Sequence, residues 1–377
     1  MFQPFVFLLL SSLWSWSAAQ TFTGPEDPRI SIELELQTPS QGISITADGR
    51  IFVAYTYVDG TSGGPQVVEY NKTTNTSTPY PNEAWNTYSA GDDVATHFIG
   101  VNAQRIGPDG NLWIVDKGAT GIGEPVLLPD GPKVVVVNVT TNEVARVYEM
   151  GNVTRINSFM DDIRFNPAAG MAYLTDAGSA GLIVLDLETG DAVRVLNDAL
   201  STHEYMPVSA EGSILYNQGK PFYFYADQHE VSPDAEYYYF QPASGGMSRI
   251  PTKWMNAAFS NSSLNDNAIL GQYVEPYAHT PATGGTAIDA EGNIYNSDTD
   301  SQRIIKIAPN GTMSLLVQDP RLLWVDAMWI DDQKRLWMPA DQLNRGTPFH
   351  NGTSLITKPL YVFSIYIGVG PSPIDHA

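Results

Sequence analysis

The sequence predicts an all-β fold, a six-bladed β-propeller closed by pairing an N-terminal strand with the last blade. Three observations carry the prediction. One pattern recurs at residues 41–54, 102–116, 160–176, 227–239, 284–298 and 326–340. Each copy has a polar or small residue, alternating apolar positions, a turn and a second apolar run, spelled most fully in Met160-Asp161-Asp162-Ile163-Arg164-Phe165 and Met171-Ala172-Tyr173-Leu174-Thr175-Asp176. Internal repetition at such a period decides architecture before local propensity does. Second, the intervals carry further hairpin signals, such as Val134-Val135-Val136-Val137 followed by Asn142-Glu143, and Ile304-Ile305-Lys306-Ile307 followed by Asn310-Gly311. Third, the turns are of Gly/Asn/Asp type and no long helical stripe interrupts them. Four short strands per unit and six units make a propeller, in which radial repetition protects the sheet edges.

Taken in order, residues 1–19 contain the apolar run Phe5-Val6-Phe7-Leu8-Leu9-Leu10 and end in Ser17-Ala18-Ala19. That run is too short to span a bilayer, and small residues follow where a signal peptidase would cut. The expectation is a signal peptide over 1–19, a single propeller domain over 20–377, no membrane span, and a protein of the secretory lumen or the exterior. Sequons at Asn71, Asn75, Asn138, Asn152, Asn261, Asn310 and Asn351 fit that compartment as glycosylation sites. Residues 29–36 alternate strictly, the period of a half-buried strand. The last unit shows two good strands and a third at Leu360 to Tyr366 but no fourth, so residues 30–36 are the natural donor. The irregular pieces at 80–98, 118–131, 196–219 and 254–282 are placed over one mouth of the channel, where loops on a rigid scaffold carry binding.

The composition excludes several functions. The 41 acidic against 20 basic residues make nucleic acid a poor partner, because phosphate needs the opposite sign. The absence of cysteine excludes thiolate catalysis, iron–sulfur clusters and cysteine-based zinc sites, and leaves stability to burial. There is no H-E-x-x-H pair. The glycine-rich run Gly118 to Gly123 sits in a loop with no helix after it, which reads as a flexible turn.

The first strand of each propeller blade lines the central tunnel. Counting back from the turns places Gln41, Asn102, Gly284 and Asp326 on the axis, and matching the strands of the third and fourth repeats, whose turns are irregular, adds Asp161 and Asp227. Inward carboxylates gathered from separate blades are costly unless a cation, donors or protons offset them. Three readings stay open. The groups bond backbone and channel water; they hold a calcium-type ion among oxygens; or they act as acid and base, or orient a neutral organic molecule. The recurring aromatics Trp113, Tyr173, Tyr238, Tyr295 and Trp337 read as packing between blades. Trp85, Trp324 and Tyr277 break that pattern and are candidates for the wall of a mouth pocket, which His97, His203 and His279 could also reach.

Several stretches together resemble one family. They are Tyr80-Pro81-Asn82-Glu83-Ala84-Trp85-Asn86, Leu112-Trp113-Ile114-Val115-Asp116-Lys117-Gly118, Pro132-Lys133-Val134-Val135-Val136-Val137, Ala172-Tyr173-Leu174-Thr175-Asp176, Gly181-Leu182-Ile183-Val184-Leu185-Asp186 and Tyr239-Phe240-Gln241-Pro242-Ala243-Ser244. In that order and spacing they look like the yellow / major royal jelly protein family. The resemblance implies a secreted six-bladed propeller. The acidic, sequon-rich, cysteine-free style is similar to fungal secreted members, some of which resemble hetero-Diels–Alderases that join a tropolone-type quinone methide to a terpene alkene. A second comparison is with gluconolactonase-like propellers, whose metal-ligand positions resemble Asn102, Asp161 and Asp326; there the expected first-blade Glu is Gln41 and the third-blade Asn is Asp161.

The leading expectation is therefore a secreted enzyme of secondary metabolism that cyclises a hydrophobic substrate, by hetero-Diels–Alder cycloaddition if the fungal resemblance holds. Asn102, Asp161, Asp162, Asp227 and Asp326 would polarise or orient it, and Trp85, His97, His279 and Trp324 would contact it. No cofactor is required on this reading, though a structural calcium at Asn102, Asp161 and Asp326 is compatible with it. The alternatives are a calcium-dependent lactonase or esterase and a non-catalytic small-molecule binder.

Overall fold

Alternation and turn chemistry produce six four-stranded antiparallel sheets in the computed structural model, which describes residues 21–376. The leader expected at 1–19 lies outside the described residues. The innermost strands of blades I to VI are Ser40–Ile45, Val101–Ile106, Met160–Asn166, Ala226–Val231, Thr286–Ile288 and Trp329–Ile330. They succeed one another around the axis, and a parallel bridge from Gly42 to Ala327 joins blade I to blade VI. Among the described residues no helix is long and apolar enough to cross a membrane.

Closure follows the expectation. Strand Ser31–Leu36 pairs antiparallel with Leu360–Tyr366 and becomes the outer strand of blade VI. Alternation places Leu34 and Leu36 inward at 2% exposure each, and a register shift between Ile32 and Leu34 leaves Ile32, which has the same parity, 47% exposed. Blades are packed on both faces, so their middle strands are apolar without alternation. Val134, Val135, Val136 and Val137 are all buried.

The recurring aromatics are buried between blades, and each hydroxyl or indole N–H finds a partner, Tyr173 Oη in Asn256 and Tyr238 Oη in His229, each at 2.7 Å. Trp113 Nε1 donates to Asp109 at 2.9 Å, Trp337 Nε1 to Asp331 at 2.6 Å, and Tyr295 Oη to Asp289 at 2.9 Å. A buried ring with a satisfied polar tip fixes the angle between neighbouring sheets at low cost.

One expectation is corrected. Of residues 254–282, the stretch 254–274 does not cover the mouth, to which 279–282 return. That stretch joins the third and fourth strands of blade IV at the opposite, turn-side end. It folds there as helices Thr252–Ala257 and Asn267–Leu270, whose Met255 and Leu270 pack with Tyr173 and Tyr238. Tyr277 accordingly lies in the outer strand of blade IV, against Tyr239 at 4.7 Å. Residues 196–219 stay at the mouth and contribute short hairpins.

At the turn-side end the C-terminal tail enters the channel. Pro371 bridges to Asp289, and Asp375 meets buried Arg105 through two hydrogen bonds of 3.0 and 2.9 Å. The His376 ring stacks on Trp329 with centroids 3.9 Å apart.

Because the closing strand is held largely by its inward leucines, Leu36→Ala should cost about 2–5 kcal/mol, the range for emptying a packed core position. Urea unfolding measures this. Ile32→Ala, on the exposed side of the same strand, should change stability little, and equal losses from the two would contradict the closure described.

Candidate functional site

The site is made by irregularities in the inner strands. Register shifts fall at Ser40/Gly42, Val101/Ala103, Met160/Ile163 and Ala226/His229. The residues skipped in the pairing include Gln41, Asn102, Asp161 and Asp227. A bulge frees a residue from the ladder and re-aims its side chain. Here it turns these side chains to the axis, where they line one cavity of about 30 Å3 together with Gly284 and Asp326. That volume suits a water molecule or two, since about 10–15 Å3 of such space holds one. Glycine is required on blade V because a Cβ at Gly284 would lie 2.5 Å from the Val325 carbonyl oxygen.

Hydrogen bonds run around part of this ring. Gln41 Nε2 donates to Asn102 Oδ1 at 3.1 Å, and Asn102 Nδ2 donates to Asp161. Trp324 Nε1 donates to Asp326 Oδ2 at 3.3 Å, and the Ala327 N–H to Asp326 Oδ1 at 2.8 Å. Gln41 Oε1 is buried without a partner. Burial, reinforced by the neighbouring Asp162 charge, pushes the Asp161 pKa up to about 8. Its open side faces the cavity, where water works against that shift. Burial and the field of Asp341 push Asp326 well above the usual carboxylate range, and burial does the same to Asp341, whose Oδ2 has no partner. Near neutral pH the axis therefore favours protonated carboxyls, which can donate.

The next layer down is ionised. Arg164 pairs with Asp162 and, through bonds of 2.8 and 3.0 Å, with Glu230. Burial opposes charge on Asp162, but Arg164 and Arg105 outweigh it and hold its pKa below the usual value. Asp162 is thus part of an ion pair beneath the axial ring and not one of the ring's acids, contrary to the role expected for it.

Above the ring, Phe159, Phe224, Trp324 and Leu343 form an apolar cover belonging to the cluster of Val58, Leu215 and Phe349. Beside the cover, between blades I and II, opens a cavity of about 520 Å3. Tyr55, Tyr57 and Tyr88 line it, with Phe159, Ile122, Gln41 and Lys117. Gln41 is common to the mouth cavity and the axial one. A second opening of about 510 Å3 lies on the far side of Phe159 and Ile122, towards Phe222 and Tyr225.

Lys117 was missed by sequence reasoning, although the Asp116-Lys117-Gly118 stretch had been singled out for the family resemblance. It is 6% exposed, and Nζ donates to the Gly100 carbonyl at 3.2 Å. Asp116 beside it is already engaged by the N–H groups of Ile99, Gly100 and Gly118 and by Lys133 at 2.8 Å. Burial lowers the Lys117 pKa to about 8, with the charges of Asp116 and Asp161 opposing part of the shift.

The contact residues expected at the mouth divide. Trp324 covers the axial ring. Trp85 turns into the core against Phe98, with ring centroids 5.2 Å apart. His97 is half-buried and bonds the Asp93 carbonyl at 2.9 Å, outside the lining of the mouth cavity. His279 is exposed at the end of blade IV's outer strand. For these three, loop position gave no information on direction.

The calcium set suggested by gluconolactonase-like propellers does not fit these side chains as placed. Asn102 Oδ1 is occupied by Gln41, and among the described residues no three His, Cys, Asp or Glu side chains converge to hold an ion.

A family model for the major royal jelly proteins matches residues 101–351, which spans blades II to VI. The chain belongs to the major royal jelly protein family. This family member is 32% identical over 132 residues to Protein yellow of Drosophila melanogaster, a match covering 34% of this chain and 23% of that protein. The same figures hold for Protein yellow of Drosophila simulans. Among solved structures, a luciferin-regenerating enzyme superposes with TM-score 0.55 at 13% identity, covering 92% of this chain and 98% of that one. The calcium-binding regucalcin of Agrobacterium tumefaciens gives 0.53 at 12%, covering 94% and 96%. A Xanthomonas campestris gluconolactonase gives 0.51 at 12%, covering 89% and 88%. At such identities these structures share the fold alone.

The raised Asp161 pKa fixes the sign of a pH effect. Between roughly pH 4 and 8 the folded state keeps a proton that the unfolded chain releases, so stability falls as pH rises through that window. Asp161→Asn removes this contribution. Its stability relative to the parent should grow by about 1–3 kcal/mol from pH 4.5 to pH 8 in urea unfolding. Parallel pH profiles would show that Asp161 is ordinarily ionised.

Proposed function

We propose that this protein is a secreted, N-glycosylated enzyme that binds a small, largely apolar organic molecule in the mouth cavity between blades I and II. It promotes cyclisation there, of the hetero-Diels–Alder type. The observation that carries the reading is the shared Gln41. It lines the tyrosine-walled cavity and is hydrogen-bonded through Asn102 to Asp161, whose carboxyl is held protonated near neutral pH. All seven sequon asparagines are exposed or half-buried, which suits the glycosylation proposed.

The chemistry needs little from the protein. An oxygen heterodiene and an alkene form one C–C and one C–O bond while three π bonds become one, with no group lost and no co-reactant. Holding both partners in register supplies most of the rate. A donor to the heterodiene oxygen lowers its acceptor orbital and stabilises charge developing there. Lys117, whose Nζ holds one backbone carbonyl, is the donor on the cavity wall, while Tyr57 Oη is already given to the Pro65 carbonyl at 2.9 Å. Asp161 and Asp326 set the protonation of the ring beneath and do not face the cavity themselves. A metal-dependent hydrolase is the less favoured reading, because Asn102 Oδ1, one of the oxygens an ion would need, accepts from Gln41 Nε2 at 3.1 Å.

The test uses an ortho-quinone methide generated in solution from a hydroxymethyl phenol, with a terpene alkene as partner and chiral chromatography as readout. The protein should give an enantiomerically enriched dihydropyran, and EDTA should leave the rate unchanged. A racemic product at the uncatalysed rate would reject the proposal. Asp161→Asn together with Asp326→Asn should lower turnover about 10–100-fold with the fold retained; undiminished turnover would remove the axial ring from the mechanism.

A further inference from the structure

Two lysines flank the same loop of blade II, and the structure treats them differently. Lys133 is 1% exposed and fully engaged, with Asp116 at 2.8 Å and the carbonyls of Val94 and Gly131 at 2.9 and 3.0 Å. Lys117 is 6% exposed and has one backbone carbonyl, at 3.2 Å. The Asp116 carboxylate, its neighbour in sequence, is taken up by three backbone N–H groups and Lys133. What stands over Lys117 on its other side is the Phe159 ring, with Nζ 5.1 Å from the centroid. A buried amine without a carboxylate partner is costly as a cation and inexpensive as a neutral base. This one lines a cavity of about 520 Å3 with aromatic walls, large enough for a bicyclic organic molecule.

We infer that Lys117 is a nucleophile that condenses with the carbonyl of a conjugated aldehyde seated in the mouth cavity, giving an imine. The inference rests on the mouth cavity being the substrate site, and it narrows the substrate class to α,β-unsaturated aldehydes flanked by apolar groups. The neutral amine adds to the carbonyl carbon, forming a C–N bond as the C=O π pair moves to oxygen. A proton passes from nitrogen to oxygen, the C–O bond breaks, and water leaves. The balance is amine plus aldehyde giving imine plus water, with one further proton from solvent making the iminium ion. That cation draws density from the conjugated C=C and opens its β-carbon to an electron-rich partner, and hydrolysis then returns the amine. Burial lowers the Lys117 pKa to about 8, so a useful fraction is neutral at pH 7.5, where an exposed lysine is almost wholly protonated.

Cinnamaldehyde serves as the probe, with sodium cyanoborohydride to fix any imine and intact-mass and peptide analysis to locate it. One adduct should form at Lys117, at least about tenfold faster than at exposed Lys72, Lys220 or Lys253. Its rate should rise with pH to a half-maximum near 8. Lys117→Arg keeps the charge, abolishes the adduct, and should still bind cinnamaldehyde as read by quenching of intrinsic fluorescence. Binding without trapping in the parent protein would overturn the inference while leaving the mouth cavity as a ligand site. Absence of binding would overturn the inference, and the quinone-methide assay then decides the cyclase reading separately. Labelling spread evenly over the exposed lysines would also overturn it.

Discussion

The structure turns on a mismatch within each inner strand. A continuous ladder from end to end would send the side chains at positions 41, 102, 161 and 227 into the faces between blades, where a carboxylate has no place. Dropping one or two residues from the pairing rotates them to the axis instead. The hydrophobic contacts between blades can then be uniform, and the polar residues are confined to a column that the sheets surround. Backbone N–H groups just outside the inner and second strands at the mouth are satisfied by second-strand aspartates. Asp116 accepts from Ile99, Gly100 and Gly118, and Asp176 from Phe159, Gly178 and Ser179. One device thus ties the site to the integrity of the fold.

Two chemically distinct layers share the column. The lower layer gathers Arg164, Arg105, Asp162, Glu230 and Asp375 as matched ions. The upper layer has carboxyls and carboxamides without an arginine among them. Burial therefore acts in opposite directions a few residues apart on one strand. Asp162 stays charged because Arg164 meets it, while burial and the adjacent Asp162 charge raise the Asp161 pKa against the smaller opposing effects of Arg164 and the Asn102 N–H. Such splitting of adjacent acids is the usual way a protein keeps a donor available at neutral pH.

Most of the architecture was legible because propellers repeat, and a repeat averages over local ambiguity. The inner positions Gln41, Asn102, Gly284 and Asp326 could be counted from their turns and Asp161 and Asp227 matched by their strands, and all six share one cavity. The closing strand could be inferred from a missing partner in the last unit. What could not be read was direction within loops. Trp85, His97 and His279 carry no periodicity, and whether a loop side chain points to a cavity or to the core is set by packing from distant blades. Residues 254–282 looked like mouth loop because their helices are short and their strand partner, Glu275–Ala278, is far from Met247–Pro251 in sequence. Lys117 was hidden for a related reason. A lysine after a strand-terminal aspartate reads as an ion pair, and only the three-dimensional count of what Asp116 already holds shows that it is not.

The tail that seats Asp375 on Arg105 makes this ring a cup with a floor, where an open propeller would be a pipe. With the turn-side end filled, a small molecule approaches the axial ring from the mouth, where tyrosines and amides interrupt the hydrocarbon surface.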